Sequence, residues 1–238
     1  MARLSLTKKL EEFGFCVVSI KPCIPALNNL RSHIFKISNL LSKTYGYEEI
    51  NDDQDLINFR LKHQEIQYKA VRFLWNSSPL LSLGSHPYLE KLLKNICQFK
   101  EPVHDVQPLL RVDIPIKEQS LFQPHQDYTY NIGSRNSVTL WIPLQNTGEK
   151  EGSILVAPKT HKNGVYPNKK GIIDKQYSFE YQHCNVKFGQ ALIFDQKLVL
   201  RGRSIGYLDH LFENDFNSKN FANFSTKLSF KYLNEFSK

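Results

Sequence analysis

The 238-residue chain is 41% hydrophobic and 23% charged, a composition that excludes a disordered tract and fits a folded globular protein. No run of eighteen apolar residues occurs and the N-terminus lacks the apolar core of a signal peptide, so no membrane partner is expected and the cytoplasm is the default compartment. The net charge of +8 comes from scattered lysines and arginines with no zinc-finger or RNA-binding pattern, which argues solvated surface rather than nucleic acid.

Leu6, Leu10 and Phe13 form one stripe of a short helix over residues 5–13, which Gly14 ends. Phe15 to Ile20 reads as a strand. Pro22 and Pro25 mark a turn, and Leu27, Leu30, Ile34, Ile37 and Leu41 recur near the helical period. Residues 51–55 suit a loop or helix cap, and the pattern from there to Asn76 is helical until Ser77-Ser78-Pro79 interrupts it. A further helix starts at His86-Pro87. The four cysteines, Cys16, Cys23, Cys97 and Cys184, lack C-x-x-C spacing and are expected to be reduced thiols, with Cys16 and Cys97 in the core.

Beyond residue 100 the chain changes to short β-rich segments separated by Gly, Pro and Asn, a spacing that suits a jelly roll. Strands are expected from Val106 to Ile114, Val138 to Leu144, Ile154 to Ala157, Tyr177 to Tyr181, Ala191 to Phe194 and Lys227 to Leu233. Helices first and strands later predict an α+β fold, one domain over residues 1–238. Residues 1–100 are its helical flank, packed outside a barrel over 101–238.

The chemistry centres on His125-Gln126-Asp127. On an extended strand an imidazole and a carboxylate two residues apart face one point, as two members of a 2-His-1-carboxylate iron triad do. An Asn131-x-Gly133-Ser134 turn follows, then Val138-Thr139-Leu140-Trp141-Ile142-Pro143-Leu144. This string resembles the phytanoyl-CoA dioxygenase-like branch of the Fe(II)/2-oxoglutarate oxygenases. The resemblance continues through Gly152–Lys162, Gly189–Asp195 and Ser225–Tyr232, covering most of the chain from about Pro102 onward in family order. It implies a cupin-like double-stranded β-helix, Fe(II) and 2-oxoglutarate as cofactors, and hydroxylation of a small organic substrate.

Residue by residue, the resemblance makes His125 and Asp127 the metal ligands. The family's second histidine falls in a phrase matched by Phe194-Asp195-Gln196-Lys197-Leu198-Val199-Leu200, where Leu200 stands at the ligand position. Leucine cannot ligate a metal; His210 or His183 would have to substitute, or the site keeps two protein ligands. The arginine that grips 2-oxoglutarate is matched by Lys227, a point charge rather than a bidentate fork, with Ser229 beside it at the period of two. Trp141 resembles a cosubstrate-side aromatic. Arg111, Ser137 and Thr139 are expected to line the pocket, and His161 matches a turn position outside the iron shell. Two readings follow: an oxygenase impaired at its third ligand, or a non-catalytic jelly-roll binding protein of the same family.

Overall fold

The computed structural model describes residues 4–104, 108–113, 123–130, 136–148, 153–202 and, as backbone, 223–232. Its first helix, α1 (Leu6–Phe13), is capped by the Ser5 side chain, which accepts a hydrogen bond from the Lys8 amide. It ends at Gly14, whose φ of +85° is left-handed. A side chain there would also strike His161 and Leu198, while the Gly14 carbonyl accepts from the Asp195 amide at 2.9 Å. The turn out of α1 is therefore pinned to the far end of the chain.

From that turn run β1 (Phe15–Ser19), α2 (Ile24–Thr44), α3 (Asp53–Lys62), α4 (Gln64–Leu74), α5 (Ser78–Gly84) and α6 (Pro87–Ile96). The helical pattern expected through residue 76 is two helices. His63, at φ −134° and ψ 56°, breaks it, and its ring stacks on Tyr47 with centroids 3.7 Å apart. Asp52 caps α3 by accepting from the Asp55 amide. Arg31 holds these pieces together, donating to Asp53 at 2.6 Å and to the carbonyl of Leu144 at 3.1 Å.

The strands are β2 (Pro102–His104), β3 (Leu109–Asp113), β4 (Ser137–Pro143), β5 (Ile154–Ala157), β6 (Asn168–Lys169), β7 (Ile172–Ile173), β8 (Gln182–Cys184), β9 (Gln190–Asp195), β10 (Val199–Gly202) and β11 (Asn223–Tyr232). They pair antiparallel throughout. The larger sheet runs β1-β9-β4-β11-β2, with β3 also along β11. The smaller sheet is β10-β5-β8. His125 extends it: one isolated bridge joins it to Leu200 of β10 and another to Ile172 of the β6-β7 hairpin. Two facing antiparallel sheets with helices against one of them make the α+β double-stranded β-helix.

β4 is buried along its whole length because both of its faces are covered. Val138, Leu140 and Ile142 join Leu27, Leu30 and Ile34 of α2, Leu74 of α4 and Leu93 of α6 in the main core. Trp141, on the other face, joins Leu192 and Phe194 of β9, Val156 of β5 and Leu198 and Leu200 in an apolar layer between the sheets. Each such fully buried aliphatic side chain contributes roughly 1.5–3 kcal/mol. All four cysteines are free. Cys16, Cys23 and Cys184 are buried and Cys97 half-buried, and burial pushes the Cys16 thiol up to about 12.

Two strand expectations change. Tyr177 to Tyr181 is irregular, and β8 begins only at Gln182. The alternating aromatics instead gather outside the smaller sheet, where Tyr166 meets Phe179 edge-on at 5.2 Å beside Ala157, Ile173 and Val199. The strand expected over 106–114 is β3, five residues; 106–107 and 114 lie outside the described residues. No helix among the described residues is long and apolar enough to cross a membrane.

Candidate metal centre

The H-x-D pair does not lie on a continuous strand as expected. His125 makes a single bridge, Gln126 is extended at φ −120° and ψ 130°, and Asp127 opens a 3-10 turn through Thr129. One extended residue between them suffices to turn both side chains to one side. Nε2 of His125 stands 3.7 Å from Oδ1 of Asp127. Asp127 is fully buried and His125 nearly so.

Each member is oriented from behind. Nδ1 of His125 lies 2.8 Å from the carbonyl oxygen of Gln123. A carbonyl only accepts, so Nδ1 carries a proton and Nε2 is the nitrogen turned to the carboxylate side. Thr139, on the inter-sheet face of β4, donates its hydroxyl to Oδ2 of Asp127 at 2.9 Å, both groups being fully buried. An imidazole nitrogen and a carboxylate oxygen suit a divalent transition metal. Two ligand bonds of roughly 2.0–2.2 Å span more than the observed gap, so one ion can touch both atoms.

Leu200, expected at the third-ligand position, is buried among apolar side chains. Leu200 and His125 exchange both backbone hydrogen bonds, at 3.0 and 2.9 Å, and so stand directly opposite each other. Opposed residues share a face. Leu200 accordingly lies beside the imidazole, buried with Val156, Leu198 and Trp141. His183 does not replace it. It pairs with Leu155, which pairs with Arg201, one position out of step with the Leu200–Val156–Gln182 row and therefore on the opposite face. Its Nδ1 lies 2.8 Å from Ser153 Oγ. His210 and residues 131–135 of the expected turn lie outside the described residues. Among the described residues no group of three His, Cys, Asp or Glu side chains is placed to hold a metal.

The other expected site residues fall along the same sheet. Ser137, Thr139 and Trp141 occupy alternate positions of β4, opposite Lys231, Ser229 and Lys227 of β11 in that order. Trp141 is packed in the apolar layer. Arg111 alternates with Leu110 and Val112, which face the helices, and so lies on the inter-sheet face of β3. His161 sits in a 3-10 turn beside Gly14, with Nε2 3.2 Å from the Glu11 carbonyl, away from the pair.

Two residues gave no signal in the sequence. Gln126, between the ligand candidates, is fully buried: its amide nitrogen donates to the carbonyls of Gly164 at 2.9 Å and Lys197 at 2.5 Å, and its oxygen accepts from the Tyr166 amide at 2.8 Å. Its outward direction follows from the period of two, but the loop it clamps is forty residues away. Gln196 extends the β9–β4 ladder by donating its amide to the Ser137 carbonyl at 3.1 Å, and its carbonyl accepts from the Tyr128 amide. Its side-chain amide is fully buried without a hydrogen-bond partner among the described residues. Nearby, Tyr130 lies edge-on to His125 with centroids 6.1 Å apart, its ring against Gly171, where it fills the space a side chain would need. Burial, and then the Asp127 charge, push its phenol upward.

A double-stranded β-helix with an imidazole–carboxylate pair beside its smaller sheet is a cupin-like scaffold. This chain belongs to the phytanoyl-CoA dioxygenase (PhyH) family, whose pattern matches residues 10–204. Solved structures share the fold at low identity. The non-heme monooxygenase ThoJ, in its apo form, superposes with a TM-score of 0.67 at 12% identity, over 96% of this chain and 77% of that one. The epimerase SnoN, in complex with Fe3+, alpha ketoglutarate and nogalamycin RO, gives 0.64 at 12%, over 95% and 82%. EctD from S. alaskensis, with 2-oxoglutarate and 5-hydroxyectoine, gives 0.61 at 15%, over 95% and 74%. No curated protein sequence matches the chain.

Proposed function

We propose that this protein is an Fe(II)/2-oxoglutarate-dependent oxygenase of small organic molecules whose iron is held by two protein ligands, His125 and Asp127. The observation that carries the proposal is the presentation of Nε2 and Oδ1 3.7 Å apart, each ligand fixed from behind by Gln123 or Thr139. The structures of SnoN and EctD, which carry alpha ketoglutarate or 2-oxoglutarate on the same fold, support the choice of cosubstrate. Bound here, iron and 2-oxoglutarate supply the oxidising chemistry, with succinate and carbon dioxide as the cosubstrate's products. The chain's own residues bind, orient and shield: Lys227, opposite Trp141, offers a positive charge for the distal carboxylate, and the layer of Trp141, Phe194, Leu198 and Leu200 keeps water from one side of the site.

Leu200 favours a second reading, a binding protein of the same family without turnover, because the third corner offers hydrocarbon instead of nitrogen. Iron or cobalt titration under anaerobic conditions, with and without 2-oxoglutarate, separates the two when combined with succinate measurement on the iron-loaded protein after oxygen is admitted. The proposal expects one ion per chain, binding abolished in His125→Ala with the fold intact, and slow succinate formation. One ion without succinate supports the binding protein, and equal metal uptake by His125→Ala sinks the site itself.

A further inference from the structure

We propose that Thr139 is a positioning residue of the metal site, setting which oxygen of Asp127 faces the ion before any ion arrives. This rests on the metal reading above and adds a claim that reading does not need. A carboxylate has two equivalent oxygens and a broad torsion about its last bond. The Thr139 hydroxyl takes Oδ2 in a charge-assisted hydrogen bond of 2.9 Å at a fully buried position. That contact leaves Oδ1 as the oxygen 3.7 Å from His125 Nε2.

Thr139 is itself buried and constrained by its backbone pairing. It is β-branched, lies mid-strand in β4, and is ladder-paired with Phe194 on one side and Ser229 on the other. The hydroxyl therefore transmits the geometry of the larger sheet to a ligand candidate that hangs from the edge of the smaller one. A two-ligand site has more need of such a contact than a three-ligand site. With fewer protein bonds on the ion, any freedom of the carboxylate comes directly out of affinity.

The experiment is a Co(II) titration of the full chain, read by the visible absorption of bound cobalt, beside thermal unfolding of the metal-free protein. Thr139→Val keeps the branched shape and removes the donor, and Thr139→Ser keeps the donor. Leu140→Val trims the helix-facing core one position along and serves as the destabilised control. The positioning role predicts cobalt binding weaker by roughly 10–100-fold and an altered cobalt spectrum in Thr139→Val, the usual scale for losing a group behind a ligand. Thr139→Ser should restore both, and Leu140→Val should leave both unchanged. Wild-type affinity in Thr139→Val, or an equal loss in Leu140→Val, overturns the inference while leaving the metal reading intact. No cobalt binding by the wild type overturns the metal reading, and this inference with it.

Discussion

Leu200→His tests the departure that sets this site apart. Leu200 is 3% exposed and packed with Val156, Leu198 and Trp141, so the substitution first costs stability. Removing the buried leucine forfeits roughly 1.5–3 kcal/mol, and an imidazole left without a partner adds about 1–3 kcal/mol. The metal-free variant should therefore unfold more readily, by about 2.5–6 kcal/mol in sum. Metal reverses the sign. Residues opposed in a hydrogen-bonded antiparallel pair stand about 5.5 Å apart at Cα with side chains on one face. The new ring would lie beside His125 and toward the same point. Affinity for ferrous or cobalt ion should rise at least tenfold, about 1.4 kcal/mol, and the melting temperature should become steeply dependent on metal concentration. Conversion of 2-oxoglutarate to succinate without added substrate should increase over the wild type. A folded variant whose metal affinity equals the wild type's would refute the placement of Leu200 at the ligand position.

Two further outcomes are expected. Lys227→Ala should weaken 2-oxoglutarate binding by about 2 kcal/mol, the scale of a charge-assisted hydrogen bond, and Lys231→Ala should do less, because Lys231 is in register with Ser137 and Lys227 with Trp141; isothermal titration showing the reverse order would place the cosubstrate at the other end of the strand. Gln196→Met keeps the length of a buried side chain while removing an amide that has no hydrogen-bond partner among the described residues. It should raise metal-free stability by about 1–3 kcal/mol, and a lower melting temperature would show that the amide is satisfied in solution.

Much of the architecture was legible because it rests on short-range regularities. The stripe Leu27, Leu30, Ile34 predicted α2, and alternation along β4 separates Ser137 and Thr139 from Val138 and Leu140, which join the main core. The break at His63 was invisible because the apolar pattern runs on through it, and what stops the helix is a ring stacked on Tyr47, sixteen positions earlier. Tyr177 to Tyr181 had the alternation of a strand, but alternation marks a segment with one buried side whether or not a neighbouring backbone pairs with it. Here the aromatic side chains pack on the outside of the smaller sheet instead.

The same division holds at the site. The sequence by itself supplied the residue types of the proposed site: an imidazole and a carboxylate two apart and, as the family resemblance implies, leucine where a second imidazole would stand and lysine where an arginine would. Those are identities, and identity is local. Only the tertiary structure decided that His125 and Leu200 are opposed, that His183 faces the other way, and that Thr139 holds Asp127. Each of those facts depends on strand register between segments 12 to 75 residues apart, and register is set by which faces are buried in the assembled sheets, a property that no single stretch of chain contains.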